Sequence, residues 1–460
     1  MEAAGLPGLH GAILDLSRSA GGSQGLNEHL FSELEIHAPH QYESGMSHTR
    51  APLAGVRVVE CSMLGPAAIT SHLVDLGADV IKVEPPAGDY IREMTWPIVE
   101  GTSLMHLHVN RGKKSITLDL KNDEAIEIFR KLVKESDVVI EAMRPGALAR
   151  RGVGFEDLKK INPKIVFCNI SGYGMTGPYK DMPSHGVAYD VWSGLIDPAY
   201  DEEGFCYMPS HPSMGIHAGP LFGAFGILAG VIRARETGEG SFLEIAQSDA
   251  AAYMDWYRSE SWMAYERPED VVTGNKADNY ERRAVGTAGM KEGVRYQLYD
   301  TSDGKHVLFM ASEQEFWKNF CAAVDRMDLF EKWPGSKYAD HARNNRELQA
   351  ELREIFRTKT SDEWIAFGND VNTPIAPVNS PQNLRDDPQF QHRFPLFSVE
   401  QLGAEQLPTP LKFIDEQLPA PDHAPTIGEH SGEVLKRVLG WDDSKVDAAR
   451  TAGALGKPKD

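Results

Sequence analysis

Basic residues are the first group in this sequence whose type and placement could do chemistry. Lys113 and Lys114 are adjacent, and Arg144, Arg150 and Arg151 follow them along the chain. The whole chain has a formal net charge of −20, so a polyanionic ligand would have to be bound by a local basic cluster. Lysine and arginine donate charge-assisted hydrogen bonds to phosphate oxygens. We therefore expect these residues to hold phosphate groups, with solvated surface charge as the alternative for each.

One histidine is a candidate for acid–base chemistry. His217 carries an imidazole that titrates near neutrality, so it could donate or accept a proton. A histidine that is hydrogen-bonded at the start of a helix would fit the same position equally well. The sequence leaves both interpretations open.

Metal-ligand patterns are weak in this chain. The cysteines lie far apart and form no CxxC pair, which argues against a zinc cluster and against a disulfide framework; they are Cys61, Cys168, Cys206 and Cys321. The histidines near the start of the chain are loosely spaced, and they are His29, His37, His40 and His48. We predict no metal site.

Alternating strands and helices must position these side chains. Strands are predicted over 56–60, 80–83, 115–120, 138–140 and 165–170, and helices over 65–75, 122–134 and 154–161. Repeated strand–helix–strand units predict an α/β fold with a parallel sheet covered by helices.

The pattern changes after residue 282. Residues 294–299 and 306–310, joined by a turn at 301–304, predict a hairpin, and a helix is predicted over 313–324. Polar and proline-rich stretches near 372–381 and 407–426 are typical of linkers. We predict an N-terminal extension over 1–50, a large domain over 51–260, a small α+β domain over 261–400, and a C-terminal return to the large domain over 401–460.

Composition limits the function. The 460 residues exceed what one hydrophobic core usually supports, which predicts two domains. The acidic balance argues against nucleic acid or an anionic membrane as partner.

The apolar run 219–232 is too short to cross a bilayer and is expected to be a buried core helix. No secretory signal is visible, and the separated cysteines fit a reducing compartment, so we predict a cytoplasmic protein.

Several short motifs occur in order over residues 52–455. Together they resemble the family III CoA-transferases and the related α-methylacyl-CoA racemases. The transferases of this family include formyl-CoA, carnitine and bile-acid CoA-transferases. The motifs include Leu53 to Glu60, Gly65-Pro66, Leu76-Gly-Ala-Asp-Val-Ile-Lys-Val-Glu-Pro-Pro86, Asn110 to Leu120, Arg144 to Leu148, Gly172-Tyr-Gly-Met-Thr-Gly-Pro178, Glu236 to Gly240 and Ile427-Gly-Glu-His430. The resemblance implies a Rossmann-like domain built from both chain ends, a smaller inserted domain, and an interlocked homodimer.

The resemblance also implies that coenzyme A is bound, as an acyl-CoA substrate. Arg150 falls where family members place an arginine near the nucleotide, and Ala142-Met143 replace the Asn-Phe pair that commonly contacts the adenine. Gly65 lacks a Cβ, so Gly65-Pro66 could let the backbone approach the thioester; an ordinary helix start is the alternative. The candidate coenzyme-binding residues are Gly65, Pro66, Asn110, Lys113, Lys114, Arg144 and Arg150.

Transferases of this family use an aspartate as nucleophile, which forms a mixed anhydride with the acyl group. In this chain the corresponding position is Gly215. Within the segment 184–194, the resemblance places His185 where racemases have a catalytic histidine and transferases usually a tyrosine. The usual acidic residue of this segment is Gly186 here, and Asp190, one helical turn later, could carry the relocated carboxylate.

Three functions stay open at this point. The first is CoA transfer between carboxylic acids, with Asp190 or Glu313 as nucleophile. The second is racemisation or a related α-proton abstraction by His185, with His217 as a second base and Glu313 taking the place of the small-domain glutamate of racemases. Glu313 could equally be a helix cap. The third is a catalytically degenerate CoA-binding subunit.

Overall fold

The computed structural model describes residues 50–276, 280–282, 290–337, 340–414 and 416–456. From Arg50 onward the chain forms one compact unit. The extension predicted over 1–50 lies, apart from Arg50, outside the described residues.

The strands predicted over 56–60, 80–83, 115–120, 138–140 and 165–170 are all present, and the structure adds others, including one over 241–246 in the same sheet. Along the chain, the strands are β1 (Arg57–Cys61), β2 (Asp79–Glu84), β3 (Ile98–Val99), β4 (Thr102–Ser103), β5 (Lys114–Thr117), β6 (Val138–Glu141), β7 (Val166–Ser171), β8 (Ala199–Tyr200), β9 (Cys206–Tyr207), β10 (Ser241–Ala246), β11 (Gln297–Asp300), β12 (His306–Phe309) and β13 (Ile375–Pro377).

The helices connect and cover these strands. They are α1 (Ala68–Asp75), α2 (Ile91–Met94), α3 (Leu104–Val109), α4 (Asp123–Lys134), α5 (Phe155–Ile161), α6 (Gly186–Trp192), α7 (Gly215–Thr237), α8 (Gln247–Met254), α9 (Trp256–Tyr265), α10 (Gln314–Ala323), α11 (Met327–Lys332), α12 (Arg346–Phe356), α13 (Ser361–Asp370), α14 (Pro388–Arg393), α15 (Val399–Leu402), α16 (Ser431–Leu439) and α17 (Asp443–Thr451).

A six-stranded parallel sheet forms the centre of the fold. Its strand order is β5-β2-β1-β6-β7-β10, and every neighbouring pair is parallel. If these six strands are numbered along the chain, the order is 3-2-1-4-5-6, which is the Rossmann order. The chain therefore builds the sheet outward from β1 in one direction, then returns to the other side of β1 with β6.

The central strands are apolar on both faces because helices cover both. All four residues of β6 are buried, as are four of the five in β1, which is typical of a parallel sheet. One face packs in a core that includes Phe129 of α4 and Leu435 of α16. The other face packs against α1 and α7, with Ile69 and Ile227 in its core.

Strand β5 is shorter than predicted. The sequence predicts a strand over 115–120, but β5 ends at Thr117. The backbone N–H of Asp119 donates to the carbonyl of Ala454 at 3.0 Å. The chain leaves the sheet here to meet the C-terminal segment.

The segment after residue 290 has a hydrophobic core of its own. The antiparallel strands β11, β12 and β13 and the helices α10, α12 and α13 surround it. Phe309, Phe320, Phe356 and Trp364 lie at its centre with ring centroids 4.7–6.1 Å apart where they contact. The predicted hairpin is present as β11 and β12, and the predicted helix as α10. This core falls inside the segment predicted as the small domain.

Helix α7 differs from the prediction of a buried core helix. It extends over 23 residues, and by length and composition it is apolar enough to cross a membrane, with half of its most apolar window buried inside the protein. One face packs on the sheet. The opposite face exposes Leu221, Phe225 and Ile232 by 52%, 72% and 60%. Helical spacing puts these three residues on one stripe.

The packing of α16 predicts a large stability effect for one side chain. Leu435 is fully buried in the sheet core. We expect Leu435→Ala to lower the free energy of unfolding by about 2–5 kcal/mol, because it leaves a cavity. Glu433→Ala, at an exposed position of the same helix, should cost about 0.5 kcal/mol or less. Urea unfolding of both variants measures the difference, and equal losses would show that α16 does not pack on the sheet.

Candidate functional site at the carboxyl edge of the sheet

The strand order places a crevice at the carboxyl edge of the sheet. The loops after β1 and β6 leave these neighbouring strands in opposite directions, and ligands of open α/β sheets bind outside such a switch point. A cavity of about 490 Å³ lies here. The loops that follow β1, β6, β7 and β10 line it.

The loop after β1 forms one wall of the cavity. Gly65 and Pro66 both line it, as expected for residues that face a ligand. They begin a short 3-10 helix, Gly65–Ala67, which runs directly into α1. Leu64 precedes it with a φ of 57°, a strained conformation for a leucine. Such a turn persists only where its surroundings hold it.

Four buried charges lie behind this wall. Lys82 on β2 contacts Glu60 on β1 at 3.4 Å and Asp89 at 3.0 Å, and Lys113 contacts Glu60 at 3.0 Å. All four side chains are fully or almost fully buried. We call this set the charge network. Two carboxylates and two ammonium groups balance one another, so the charges are compensated away from water.

The charge network also forms hydrogen bonds to the backbone of the cavity wall. Lys82 Nζ donates to the carbonyl of Ser62 at 2.9 Å, and Lys113 Nζ donates to the carbonyl of Ala67 at 2.8 Å. These two carbonyls flank the strained turn at Leu64. The network therefore fixes both ends of the loop that carries Gly65 and Pro66.

The Glu60 carboxylate is the centre of the network. Burial alone would raise the pKa of Glu60, but Lys113, Lys82 and the hydroxyls of Ser62 and Thr70 lower this pKa to about 2. Because the folded-state pKa is below the ordinary value of 4.5, the stabilisation is present above pH 4.5 and is lost as the pH falls toward 2.

These contacts correct two expectations. Lys113 and Asn110 were expected to bind the coenzyme, but Lys113 is buried with three acceptors: Glu60, the Ala67 carbonyl and Asn110 Oδ1, the last at 3.1 Å. Asn110 is fully buried, and its Nδ2 lies 3.0 Å from His106 Nδ1. Both are internal supports, since Lys113 has no donor left for a phosphate and Asn110 is fully buried outside the cavity lining.

The fold separates the rest of the basic cluster. Arg144 lines the cavity and is exposed. Arg150 and Arg151 are exposed but do not line the cavity. Arg150 Nη1 donates to the carbonyl of Pro145 at 3.1 Å. Arg151 Nη1 donates to the carbonyl of Ala147 at 3.2 Å. Lys114 lies 3.8 Å from Asp422 and outside the cavity lining.

Two charged residues that the sequence analysis did not select also line the cavity. Lys180 and Asp181 are both exposed, in the loop between β7 and α6. The sequence did contain a signal for them, because they lie shortly before His185. A segment that places one side chain in a site often places its neighbours there too. The cavity therefore carries two cations, Arg144 and Lys180, and one carboxylate among its described lining residues.

His185 also lines the cavity. It is the N-cap residue of α6 and is exposed. Ser184 Oγ lies 3.1 Å from Tyr189 Oη, and both residues line the cavity as well. This contact ties the loop before α6 to the first turn of the helix.

Asp190 lies behind the cavity wall. Residues 186 and 190 share a face of α6, as expected, but Asp190 is fully buried. Its Oδ1 accepts hydrogen bonds from the backbone N–H groups of Met214 at 3.1 Å and Gly215 at 2.7 Å. This carboxylate therefore caps the N-terminus of α7, where unpaired N–H groups favour an anion.

The spaces beside the two glycines are occupied. A Cβ on Gly215 would lie 2.7 Å from Tyr189 Cβ, and a Cβ on Gly186 would lie 2.3 Å from Ile216 Cγ2. Neither position could take an aspartate without movement of its neighbour. At both positions a neighbouring side chain fills the space that an aspartate would need.

Like Asp190, the candidates His217 and Glu313 lie outside the described cavity lining. His217 is exposed on α7 and acts electrostatically on His72 and His108, whose pKa values are lowered mainly by burial. Glu313 is the exposed N-cap residue of α10. The structure therefore brings together His185, Arg144, Gly65 and Pro66, but not Asp190, His217 or Glu313.

Adjacent lysines allow a direct test of the charge network. Lys113→Met would leave Glu60 with one ammonium partner in a buried setting, and we expect a loss of about 3–5 kcal/mol in the free energy of unfolding. Lys114→Met should cost less than about 1 kcal/mol, since Lys114 is partly exposed. Thermal and urea unfolding measure both. A fully stable Lys113→Met protein would contradict this assignment.

Comparison with known proteins supports the family that the motifs indicate. The family model described as CoA-transferase family III matches residues 53–431. Human succinyl-CoA:glutarate CoA-transferase is 31% identical over 424 residues, which cover 90% of this chain and 92% of that protein. The succinyl-CoA–L-malate CoA-transferase beta subunit of Chloroflexus aurantiacus is 29% identical over 88% of this chain and 98% of its own length.

A solved structure agrees in fold. The crystal structure of a CAIB/BAIF family protein from Brucella suis matches with a TM-score of 0.69 and 26% identity, over 85% of this chain and 100% of that chain. The names of the relatives support an enzyme that acts as a CoA-transferase. The family predicted from the sequence motifs is confirmed: this chain belongs to CoA-transferase family III.

Proposed function

We propose that the protein transfers coenzyme A from a CoA thioester to a free carboxylic acid, and that the acid is a dicarboxylic acid. The observation that carries the proposal is the cavity at the strand-order switch point, which combines an imidazole, a carboxylate and two cations: His185, Asp181, Arg144 and Lys180. The two relatives described above are named for succinyl-CoA, glutarate and L-malate. All of these acids are dicarboxylic.

The cations give the cavity its ligand preference. In a chain with a net charge of −20, Arg144 and Lys180 are placed to attract the phosphates of the coenzyme or the distal carboxylate of the acyl group. Met143 and Ala142 line the same wall, where the family resemblance expects the adenine. Gly65 and Pro66 offer backbone on the opposite side.

Asp181 is the proposed nucleophile. Its carboxylate attacks the thioester carbonyl and expels the CoA thiolate, which leaves a mixed anhydride. The thiolate then attacks the aspartyl carbonyl and releases the first acid. The acceptor acid displaces CoA from Asp181 as a second anhydride, and the thiolate takes the new acyl group and restores the carboxylate. Asp190 and Glu313 are less suited, since Asp190 is sealed from the cavity and Glu313 does not line it.

Racemisation or a related abstraction of the α-proton is the second candidate function, and one observation favours it. His185 is exposed in the cavity, so its imidazole could remove the α-proton of a bound thioester. His217, the proposed second base, lies outside the lining. A degenerate CoA-binding subunit is the third candidate, and the filled spaces beside Gly186 and Gly215 favour it.

A homodimer is proposed as the assembly, with the protein located in the cytoplasm. The family resemblance implies an interlocked dimer, and the exposed stripe of α7 is the kind of apolar surface that a second copy would cover. All four cysteines lie in the described part of the chain and are free thiols. Reduced thiols fit the cytoplasm.

An activity assay should separate the three functions. We expect wild-type protein to move CoA from succinyl-CoA to glutarate or malate, and Asp181→Asn to lower kcat/KM roughly 10³-fold or more. Hydroxylamine should trap an acyl adduct on the wild-type protein only. Asp362→Asn, at an exposed position of α13, is the control.

The other outcomes have distinct signatures. If the α-carbon of the acyl-CoA takes up deuterium from deuterated water without an acceptor acid, the protein abstracts the α-proton, and this activity would replace CoA transfer as the function. Binding of CoA without either activity would indicate a degenerate subunit. An Asp181→Asn enzyme with full transfer activity would remove Asp181 from the mechanism.

The dimer has its own test. Phe225→Glu puts a charge in the exposed stripe of α7, and we expect sedimentation to shift from dimer to monomer because the interface would have to bury that charge. Arg235→Ala, also exposed on α7, should leave the dimer intact. Wild-type protein that sediments as a monomer would contradict the proposal.

A further inference from the structure

Two neutral polar residues line the cavity at the ends of neighbouring strands. Ser171 is the last residue of β7, and it pairs in register with Ala246, the last residue of β10. Gln247 follows Ala246 and begins α8. Ser171 and Gln247 both line the cavity, so the ends of two neighbouring strands bring them together.

Both side chains contain a buried atom without a partner. In the described part of the chain, Ser171 Oγ and Gln247 Oε1 are buried and make no hydrogen bond, and Gln247 is only 3% exposed. A buried polar group without a partner costs roughly 1–3 kcal/mol. Most such groups in folded proteins are paired. Their position in the cavity wall indicates that a ligand provides the missing partner.

The surrounding backbone is shaped to hold this pair. A Cβ on Gly219 of α7 would lie 2.7 Å from Gln247 Cγ, so glycine leaves the room that the glutamine occupies. The backbone N–H of Ser248 donates to the carbonyl of Gly172 at 3.0 Å. This bond fixes the first turn of α8 against the end of β7. The pair therefore sits on rigid elements.

We propose that Ser171 and Gln247 form a hydrogen-bonding site for a neutral polar group of the bound CoA ester. The proposal rests on the proposed function, since it takes the CoA ester as the ligand of this cavity. Neither side chain is ionised, so the pair suits an N–H or O–H group, while the cations Arg144 and Lys180 suit anionic groups. A hydroxyl and a side-chain amide together can both donate to and accept from such a group.

Two parts of the ligand have this chemistry. One is an amide of the pantetheine arm, which every CoA ester carries. The other is a hydroxyl substituent on the acyl chain, which only some esters carry. The two sources differ in which ligands lose affinity when the pair is removed.

The test is the affinity of wild-type protein and variants for free CoA, succinyl-CoA and malyl-CoA, measured by calorimetry, together with the melting temperature of each protein. We expect Gln247→Leu to weaken binding about tenfold and to leave the melting temperature unchanged or higher, because the free protein loses a buried amide oxygen that has no hydrogen-bond partner. Ser171→Ala should act in the same direction. Gln389→Leu, at an exposed position of α14, is the control.

The pattern of losses identifies the group. An equal loss for all three ligands assigns the pair to the pantetheine amide, and a loss for malyl-CoA alone assigns it to an acyl hydroxyl. Wild-type affinities in both Gln247→Leu and Ser171→Ala would overturn the proposal. So would a lower melting temperature with unchanged affinity, which is the result of a packing role. Failure of the proposed function is separate, since it shows as binding without CoA transfer in the wild-type protein.

Discussion

The charge network at the carboxyl ends of β1 and β2 is the interaction on which the site depends. Glu60, Lys82, Asp89 and Lys113 are buried together, and each charge is stable there only because the others are present. The network joins two central strands to the loop before α2 and to β5. It also binds the carbonyls on both sides of the strained turn at Leu64. A rigid wall at one side of the cavity follows from this arrangement.

The network divides the polar residues of the site into two groups. The side chains of Lys113 and Asn110 are buried and hydrogen-bond inside the protein, so they do not reach a ligand. Arg144, Lys180, Asp181 and His185 face the cavity instead. The distinction is one of burial, since all of these residues are polar and several are neighbours in sequence. The second group is therefore available to a ligand, and the first group stabilises the fold.

Two glycines, Gly186 and Gly215, occupy the positions where the family resemblance expects carboxylates. Tyr189 and Ile216 fill the space beside Gly215 and Gly186, and Asp190 neutralises the start of α7 from behind. The family reaction needs a carboxylate in contact with the thioester. In the proposed reaction the carboxylate comes from another part of the lining, and Asp181 is placed to supply it.

The sequence alone predicts the fold class, five of the six strands of the central sheet, and the family. These depend on local periodicity and on motifs that stand in a fixed order, such as the run from Leu76 to Pro86, and both can be detected without contacts. The family resemblance also indicated His185 and Gly65-Pro66, and all three line the cavity. Only the tertiary structure decided which charges meet water. Lys113 is adjacent to Lys114 in sequence, yet Lys113 is fully buried and Lys114, the first residue of β5, is partly exposed. Asp190 lies one turn from Gly186, yet the start of α7 takes its carboxylate. Burial and hydrogen-bond partners come from segments far apart along the chain, and no local pattern records them.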